Sequence, residues 1–307
     1  MSRYLSQLDT ADRQDPTPEL AAKVVRLKEK IARLGQEMKR LASLEEQVKA
    51  APDRQISLTD PDARSMATSG RGSGMVGYNV HVAVETEHPL IVAHGVTNAG
   101  SDRAQLSGMA VRAKQASETD TLDAVADRGY YSGEQILACE RAGISVTLPR
   151  PMTSGARAAG RFGKEDFLYR PQEDVYRSSA GEALPHRCTT VEKGLTLHRH
   201  WTNACSACPM KTDCTTGEER RVTRWEHEDV LETVQRRLDG DPLAMRVRRE
   251  TVEHPFGTLK ARMGATHFLT KTLPRVSTEM ALQVPAYNLT RVLDIMGSRK
   301  LLAAIPT

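Results

Sequence analysis

Three acidic residues that lie far apart in the chain offer the clearest chemistry in this sequence. Asp60 closes the β-branched stretch ISLTD and Asp127 closes the apolar stretch LDAVAD, whereas Glu253 falls within a helical pattern. Two acids at strand ends and one on a helix can converge on divalent cations, which activate a nucleophile and stabilise a leaving oxygen in phosphoryl transfer. An Asp at a strand end is also a common turn or helix cap, so each residue alone has a purely structural interpretation as well.

Glu253 is distinguished by its basic neighbours in the stretch RRETVEHPFGTLK (248–260). Arg249, Glu253 and Lys260 are spaced so that an α-helix confines them to an arc of roughly 40° on one face. A carboxylate between two cations suits a metal ligand whose neighbours hold phosphates. Pro255 weakens a helix at this point, so the shared face requires a mild kink.

The residues before the first acid predict one long helix over 17–49. Thr17 supplies a cap and Pro18 the first helical position. The apolar residues that follow alternate by four and three: Leu20, Val24, Leu27, Ile31, Leu34, Met38 and Leu41. This heptad pattern is typical of a coiled coil or of an amphipathic helix folded onto its own domain. We therefore define 1–53 as an N-terminal helical segment.

Patterns with a period of two then predict the sheet that positions the acids. The predicted strands cover 56–60, 77–85, 90–97 and part of 122–132, and the predicted helices cover 102–117, capped by Ser101 or Asp102, and 133–142. This order predicts an α/β sandwich, begun by residues 54–149. Residues 226–307 return to helical patterns and complete it, with one helix over 277–297 broken or kinked at Pro285.

Residues 150–225 differ, because short β-like stretches alternate there with Gly, Pro and Ser, and they predict an inserted β-rich subdomain. It contains Cys205-x2-Cys208-x5-Cys214, a spacing typical of structural zinc ligands. The candidates for the fourth ligand are Cys188 first, then His198 or His200. Unligated reduced thiols are the alternative, since an odd number of crowded cysteines argues against a disulfide framework. Cys139, within a predicted helix, is assigned to the core.

The stretches SLTDPDAR (57–64), ADRGYYS (126–132) and RRETVEHPFGTLK (248–260), in this order, resemble the three active-site blocks of DDE transposases from bacterial insertion sequences. Arg249, Glu253 and Lys260 are also similar in type and spacing to the Tyr-x2-Arg-x3-Glu-x6-Lys signature of one subgroup. Arg246 occupies the Tyr position of that signature, where the family uses the Tyr to hold the transposon end.

The resemblance implies a ribonuclease-H-like fold, with a mixed sheet flanked by helices. The implied ligands of two Mg²⁺ or Mn²⁺ ions are Asp60, Asp127 and Glu253, with Asp62 as an alternative first acid. The implied DNA contacts are Arg246, Arg249 and Lys260. The implied reaction is cleavage at the transposon ends, followed by attack of the freed 3′-hydroxyl on target DNA. A homo-oligomer would hold both ends in a synaptic complex.

Composition and charge constrain how the chain could bind DNA and where in the cell it is found. The formal net charge of +4 comes from 43 basic and 39 acidic residues, so a DNA-binding prediction depends on local clusters. The chain has no apolar run long enough for a membrane span and no signal peptide at its start, which predicts a cytoplasmic protein. The resemblance to DNA transposases implies that it associates with the nucleoid.

The residues before Asp60 raise two alternative functions. Fewer than 60 residues precede Asp60 and contain no evident helix-turn-helix, so we expect the chain to lack the end-recognition domain that related transposases place first. A DNA-binding or regulatory remnant of a transposase is therefore one alternative. A ribonuclease-H-like nuclease that does not transpose is the other.

Overall fold

The structure, a computed structural model, describes residues 1–13, 17–66 and 74–304. The chain divides into two compact units, Met1–Tyr78 with Lys271–Leu273, and Asn79–Thr270 with Pro274–Thr307. The predicted segment boundaries stay predictions. Three of the predicted segments extend over residues outside the described ranges, namely 14–16, 67–73 and 305–307. Within the described ranges, no helix is long and apolar enough to cross a membrane.

The first unit is built on two helices, α1 (Ser2–Asp12) and α2 (Pro18–Ala50), which pack against each other. Thr17 Oγ1 accepts a hydrogen bond from the backbone N–H of Leu20 at 3.2 Å. This cap supplies a partner for one of the N–H groups that a helix start leaves unpaired, and it confirms the helix predicted over 17–49.

The strand predicted over 56–60 is wrong, since these described residues form irregular backbone with a bend at residues 58 and 59. Ser57 Oγ accepts the backbone N–H of Asp60 at 3.2 Å, and the carbonyl of Asp60 accepts the N–H of Ala63 at 3.1 Å. Local bonds of this kind compete with a sheet ladder for the same backbone groups. The strands of this unit come later, as the antiparallel pair β1 (Arg64–Met66) and β2 (Met75–Gly77).

The second unit begins with a hairpin and a parallel strand pair. The hairpin is formed by β3 (Asn79–Val84) and β4 (Ile91–Thr97), which confirms the strands predicted over 77–85 and 90–97. A 3₁₀ helix (Asp102–Ala104) and α3 (Leu106–Ala116) follow, and then β5 (Leu122–Val125), a second 3₁₀ helix (Arg128–Tyr130), α4 (Gly133–Arg141) and β6 (Ile144–Thr147). Strands β5 and β6 are parallel and connected through α4, the arrangement of a βαβ unit.

The core of this region lies against the parallel strand pair. Ile136 and Cys139 of α4 are completely buried beside Val146 of β6 and Leu148. The assignment of Cys139 to the core is therefore confirmed. Because α4 buries one face on the pair, the residues that follow β5 are held in a fixed position.

A five-stranded antiparallel sheet occupies most of the predicted insertion. Its strand order is β11-β10-β9-β8-β7. The elements in chain order are α5 (Gly155–Ala158), a 3₁₀ helix (Lys164–Asp166), β7 (Leu168–Arg170), β8 (Val175–Arg177), β9 (Ala183–Glu192), β10 (Leu195–His200), a 3₁₀ helix (Asn203–Ala207), α6 (Lys211–Cys214) and β11 (Val222–Trp225). Phe167, Tyr176, Leu184 and Val222 form a buried cluster of their own on this sheet.

Helices complete the chain: α7 (Glu228–Gly240), α8 (Ala244–Gly257), a π-helical turn (Thr258–Arg262), α9 (Leu273–Met296) and α10 (Ser298–Ala304). Helix α9 continues through Pro285 and ends before Gly297, whose φ of +76° suits a residue without a side chain. The fold is therefore mixed α/β, which confirms the predicted fold class.

Candidate functional site

Asp127 joins the end of β5 to helix α8. It lies two residues beyond the strand and caps the 3₁₀ helix that follows, with Oδ1 accepting the N–H of Gly129 at 2.8 Å. Its second oxygen, Oδ2, accepts a hydrogen bond from Arg248 Nη2 at 2.9 Å. The capping interpretation of Asp127 is therefore confirmed, its carboxylate also contacts the helix that carries Glu253, and its role as a metal ligand stays a prediction.

A second carboxylate, Asp102, lies beside Asp127. A Cβ atom placed on Gly129 would be 3.0 Å from Asp127 Oδ1 and 3.1 Å from Asp102 Oδ2, so these two oxygens are no more than about 6 Å apart. Asn79 Nδ2 donates a hydrogen bond to the other oxygen of Asp102. The sequence suggested only a capping role for Asp102, but Ser101 is the cap of this short helix, which leaves the Asp102 carboxylate for other contacts.

Tyr130 and His81 form a buried pair next to the two acids. The Tyr130 hydroxyl lies 2.7 Å from His81 Nδ1. Burial raises the pKa of Tyr130, the negative charges of Asp102 and Asp127 raise it further, and Arg248 opposes them. Burial also lowers the pKa of His81. The phenol therefore stays protonated and the imidazole neutral at pH 7.

These groups line one cavity of about 530 Å³. Its polar lining includes Asn79, Asp102, Asp127, Tyr130, Arg248 and Thr251, and its apolar walls come from β3, α3, β5 and α8. A concave site with convergent polar groups on an apolar wall is typical of a ligand site.

The residues of the predicted helix face lie elsewhere on α8. Arg249, Glu253 and Lys260 are exposed, and Arg246 pairs with Glu250 at 2.9 Å. Glu253 lies five positions after Arg248, which places the two side chains about 140° apart around the helix. Glu253 is accordingly absent from the lining of the cavity that contains Asp127.

The end of α8 changes the spacing on which the predicted face was based. Pro255 is buried inside the helix, where it has no N–H to donate, and a π-helical turn follows over Thr258–Arg262. A π turn contains more residues than an α turn, so each residue rotates less about the axis and Lys260 lies less far round it than uniform α-helical spacing predicts. Lys260 Nζ lies 5.8 Å from the ring centre of Phe256.

Asp60 belongs to the first unit and is buried there, with 8% of its surface exposed. Its Oδ2 accepts the hydroxyl of Tyr78 at 2.7 Å, and its carboxylate accepts the backbone N–H groups of Asp62 and Thr272 at 3.2 Å. Burial raises the pKa of Asp60, but these hydrogen bonds together lower it more, so the pKa lies below its usual value. Asp60 is therefore an ionised carboxylate at neutral pH.

Asp62, the alternative first acid, has a capping role in the same unit. Its Oδ2 accepts the backbone N–H of Leu273 at 2.8 Å. Leu273 is the first residue of α9, so Asp62 satisfies an N–H group that a helix start leaves unpaired. The structure thus describes a structural contact for each of the two acids.

Asp102 and Asp127 fit a hard divalent cation in the chemistry of their donors, because Mg²⁺ and Mn²⁺ prefer carboxylate oxygens. Among the described residues, no three His, Cys, Asp or Glu side chains are placed to hold one metal ion. Convergence of Asp60, Asp127 and Glu253 on shared ions stays a prediction.

The cysteine cluster is partly assembled. Cys205 Sγ accepts the backbone N–H of Arg220 at 3.4 Å. Burial raises the pKa of Cys214, and the charges of Cys205 and Cys208 raise it further, as expected for thiols that lie near one another. All five cysteines are free thiols.

The candidate fourth ligands of the cysteine cluster lie on β9 and β10. Cys188 pairs with Arg199 in the strand register. His198 Nδ1 lies 3.0 Å from Thr189 Oγ1, and His200 is completely buried against the ring of Tyr176. In the described part of the chain these side chains do not complete a metal site, and the zinc interpretation stays a prediction.

Comparison with known proteins gives one family match, over part of the chain. Residues 179–293 match the family model described as transposase DDE domain. This match supports a DDE-type transposase, in agreement with the resemblance drawn from the sequence motifs, and a transposase implies DNA as a partner. No curated protein and no solved structure matches the chain. The subgroup with the Tyr-Arg-Glu-Lys signature stays a prediction.

Proposed function

We propose that this chain is a DNA transposase that cleaves transposon ends and joins them to target DNA with divalent cations. One observation carries the proposal: the region that matches the transposase DDE domain contains Glu253, and the helix of Glu253 is hydrogen-bonded to Asp127 through Arg248. Two of the three predicted acids therefore belong to one connected set of elements, β5 and α8.

The proposed fold is ribonuclease-H-like. Support comes from the order of elements in the second unit, where an antiparallel hairpin, a helix, a strand that leads to Asp127, a helix and a parallel strand follow one another. In this arrangement the residues at the carboxyl end of β5 face the helices packed beside the sheet.

The proposed chemistry divides between cations and side chains. Two Mg²⁺ or Mn²⁺ ions, when bound, would activate the attacking water or 3′-hydroxyl and neutralise the leaving oxygen. Asp60, Asp127 and Glu253 would hold these ions. Arg249 and Lys260, both exposed on the α8 segment, would hold DNA phosphates, because their charges face solvent and are free of the core.

Tyr130 has a different role in this proposal. Its hydroxyl stays protonated and lies beside the two acids of the cavity, where it can donate a hydrogen bond. His81, held neutral by burial, lies 2.7 Å from this hydroxyl through Nδ1; as the Nδ1–H tautomer it would donate to the Tyr130 oxygen and leave the phenol proton for the phosphate. The pair thus orients a donor toward the phosphate without moving a proton itself.

The test is a strand-transfer assay with Mg²⁺ on DNA that carries the terminal repeats of the element. Glu253→Gln should reduce cleavage and joining by at least about 100-fold, because the substitution removes a charge from the reacting centre. Glu250→Gln is the matched control, since Glu250 lies on the same helix and pairs with Arg246, and it should retain activity within about threefold.

The outcomes separate the alternatives. Cleavage without joining would favour a nuclease, and DNA binding without cleavage would favour a regulatory remnant. Full activity of Glu253→Gln would contradict the proposed site.

A further inference from the structure

Arg248 occupies one oxygen of the Asp127 carboxylate. Its Nη2 donates to Asp127 Oδ2 at 2.9 Å, while the backbone of Gly129 donates to Oδ1 at 2.8 Å. The backbone contact is part of a 3₁₀ helix and is fixed by it. The guanidinium, by contrast, stands on a long side chain that can rotate away.

The surroundings make this contact strong and also reversible. The Arg248 side chain is 23% exposed and that of Asp127 is 40% exposed, so water screens the pair only in part. Both residues line the cavity that Asp102 and Tyr130 also line. A guanidinium that left Asp127 would therefore remain beside the same cavity, at the place where a DNA phosphate would lie.

A divalent cation and the Arg248 guanidinium would compete for the same oxygen of Asp127, Oδ2. A hard cation prefers carboxylate oxygens, and Oδ2 is the oxygen that the backbone leaves accessible. A guanidinium at hydrogen-bond distance from the same oxygen repels a second positive charge in a partly desolvated site. The two cannot share Oδ2 without loss of binding free energy.

We propose that Arg248 gates Asp127: its guanidinium competes with the divalent cation for Oδ2, and cation binding releases it to a DNA phosphate in the same cavity. The inference rests on the proposed function, because it takes Asp127 as a ligand of the catalytic ion. Arg248 is in this account a positioning residue that couples cation binding to DNA binding.

The first test measures Mn²⁺ binding to the full chain without DNA, by electron paramagnetic resonance of the free ion. Arg248→Gln should bind Mn²⁺ about five- to tenfold more tightly than the wild type, because the competing charge is gone. Arg248→Lys, which keeps the charge, should bind within about twofold of the wild type. Arg236→Gln is the control and should also stay within about twofold, since Arg236 is exposed on α7 and is absent from the lining of the cavity.

Asp127→Asn separates failure of the gate from failure of the proposed function. If Asp127→Asn leaves Mn²⁺ binding intact, Asp127 is not a ligand and the proposed function fails. If Asp127→Asn loses Mn²⁺ but Arg248→Gln binds it no more tightly than the wild type, only the gate is overturned. Circular dichroism and the midpoint of urea unfolding of each variant exclude a loss of fold as the cause.

The second test concerns release of the guanidinium. The salt dependence of affinity for a DNA duplex without terminal repeats is measured with Mn²⁺ and with a chelator. With Mn²⁺, Arg248→Gln should lower the slope of log affinity against log salt by about 0.9, the value for one phosphate contact. With the chelator, the two slopes should agree. Equal differences in both conditions, or none in either, would overturn the release step.

Discussion

Burial and hydrogen bonding shift the pKa of the Asp60 carboxylate in opposite directions. Burial disfavours the charge, whereas Tyr78 and two backbone N–H groups stabilise it, and the pKa is lowered as a result. A carboxylate whose folded pKa is depressed stabilises the folded state above its unfolded pKa, and that stabilisation is lost as the pH falls through the folded pKa.

Asp60→Asn should therefore destabilise the protein at pH 7 by about 1–3 kcal/mol, the usual contribution of hydrogen bonds to a charged group. The difference between wild type and variant should shrink below about pH 4 as the wild-type carboxylate takes up a proton. Urea unfolding across this pH range measures the difference. A difference that stays constant down to pH 2 would show that the charge of Asp60 contributes nothing.

The residue types of the site could be predicted from the sequence, but not all of their contacts. Asp127 and Glu253 can be recognised from the sequence because each lies in a short motif whose residues are close together along the chain. Arg248 and Arg249 are neighbours of the same residue type, so the sequence does not show which of them contacts Asp127. The contact can be assigned only when the face of α8 that packs on β5 is known. Asp102 resembles a helix cap until Gly129, far along the chain, is brought beside it.

At the scale of elements, one buried ion pair joins the inserted sheet to helix α7. Lys164 Nζ, in the 3₁₀ helix before β7, lies 2.7 Å from Glu228 Oε1, and Glu228 is 4% exposed. Glu228 Oε2 also accepts the backbone N–H of Trp225 at 3.2 Å. Burial raises the pKa of Glu228, but Lys164 and the other partners lower it more.

Glu228→Gln should destabilise the protein by about 2 kcal/mol, because it leaves the half-buried charge of Lys164 without this partner. The double variant Glu228→Gln, Lys164→Met should recover most of this loss, since the unpaired charge is removed as well. Denaturant unfolding measures both free energies. A double variant no more stable than Glu228→Gln alone would contradict this account of the pair.

Elements with strong local patterns were predictable, and elements decided by tertiary contacts were not. Helix α2 carries its cap and its heptads in its own sequence, and β3 and β4 carry an alternating pattern. The stretch 56–60 has strand-like residues, yet Ser57 and Asp60 hold it in irregular backbone with a bend. Strand β6 is only four residues long and is defined by pairing with β5. The π-helical turn after Pro255 leaves no periodic signal.

At the scale of the whole molecule, the balance of charge is nearly even, so DNA must be bound by local groups. Arg249→Gln and Lys260→Gln should each lower the salt slope of DNA affinity by about 0.9 if each side chain neutralises one phosphate. Arg236→Gln is the control, because Arg236 is exposed on α7, away from the predicted DNA contacts. Equal slopes for all three variants and the wild type would remove Arg249 and Lys260 from the interface.

The three predicted acids are distributed over both compact units, with Asp60 in the first and Asp127 and Glu253 in the second. The central claim is that they converge on shared divalent cations. Mapping of the bound ion tests this most directly. Fe²⁺ replaces Mg²⁺, ascorbate and peroxide generate hydroxyl radicals at the ion, and mass spectrometry locates the cuts in the full-length chain.

The account predicts cuts close to residues 60, 127 and 253 together, which excess Mg²⁺ suppresses and Asp127→Asn abolishes. Cuts confined to one of these three positions, or cuts that Asp127→Asn leaves unchanged, would contradict it.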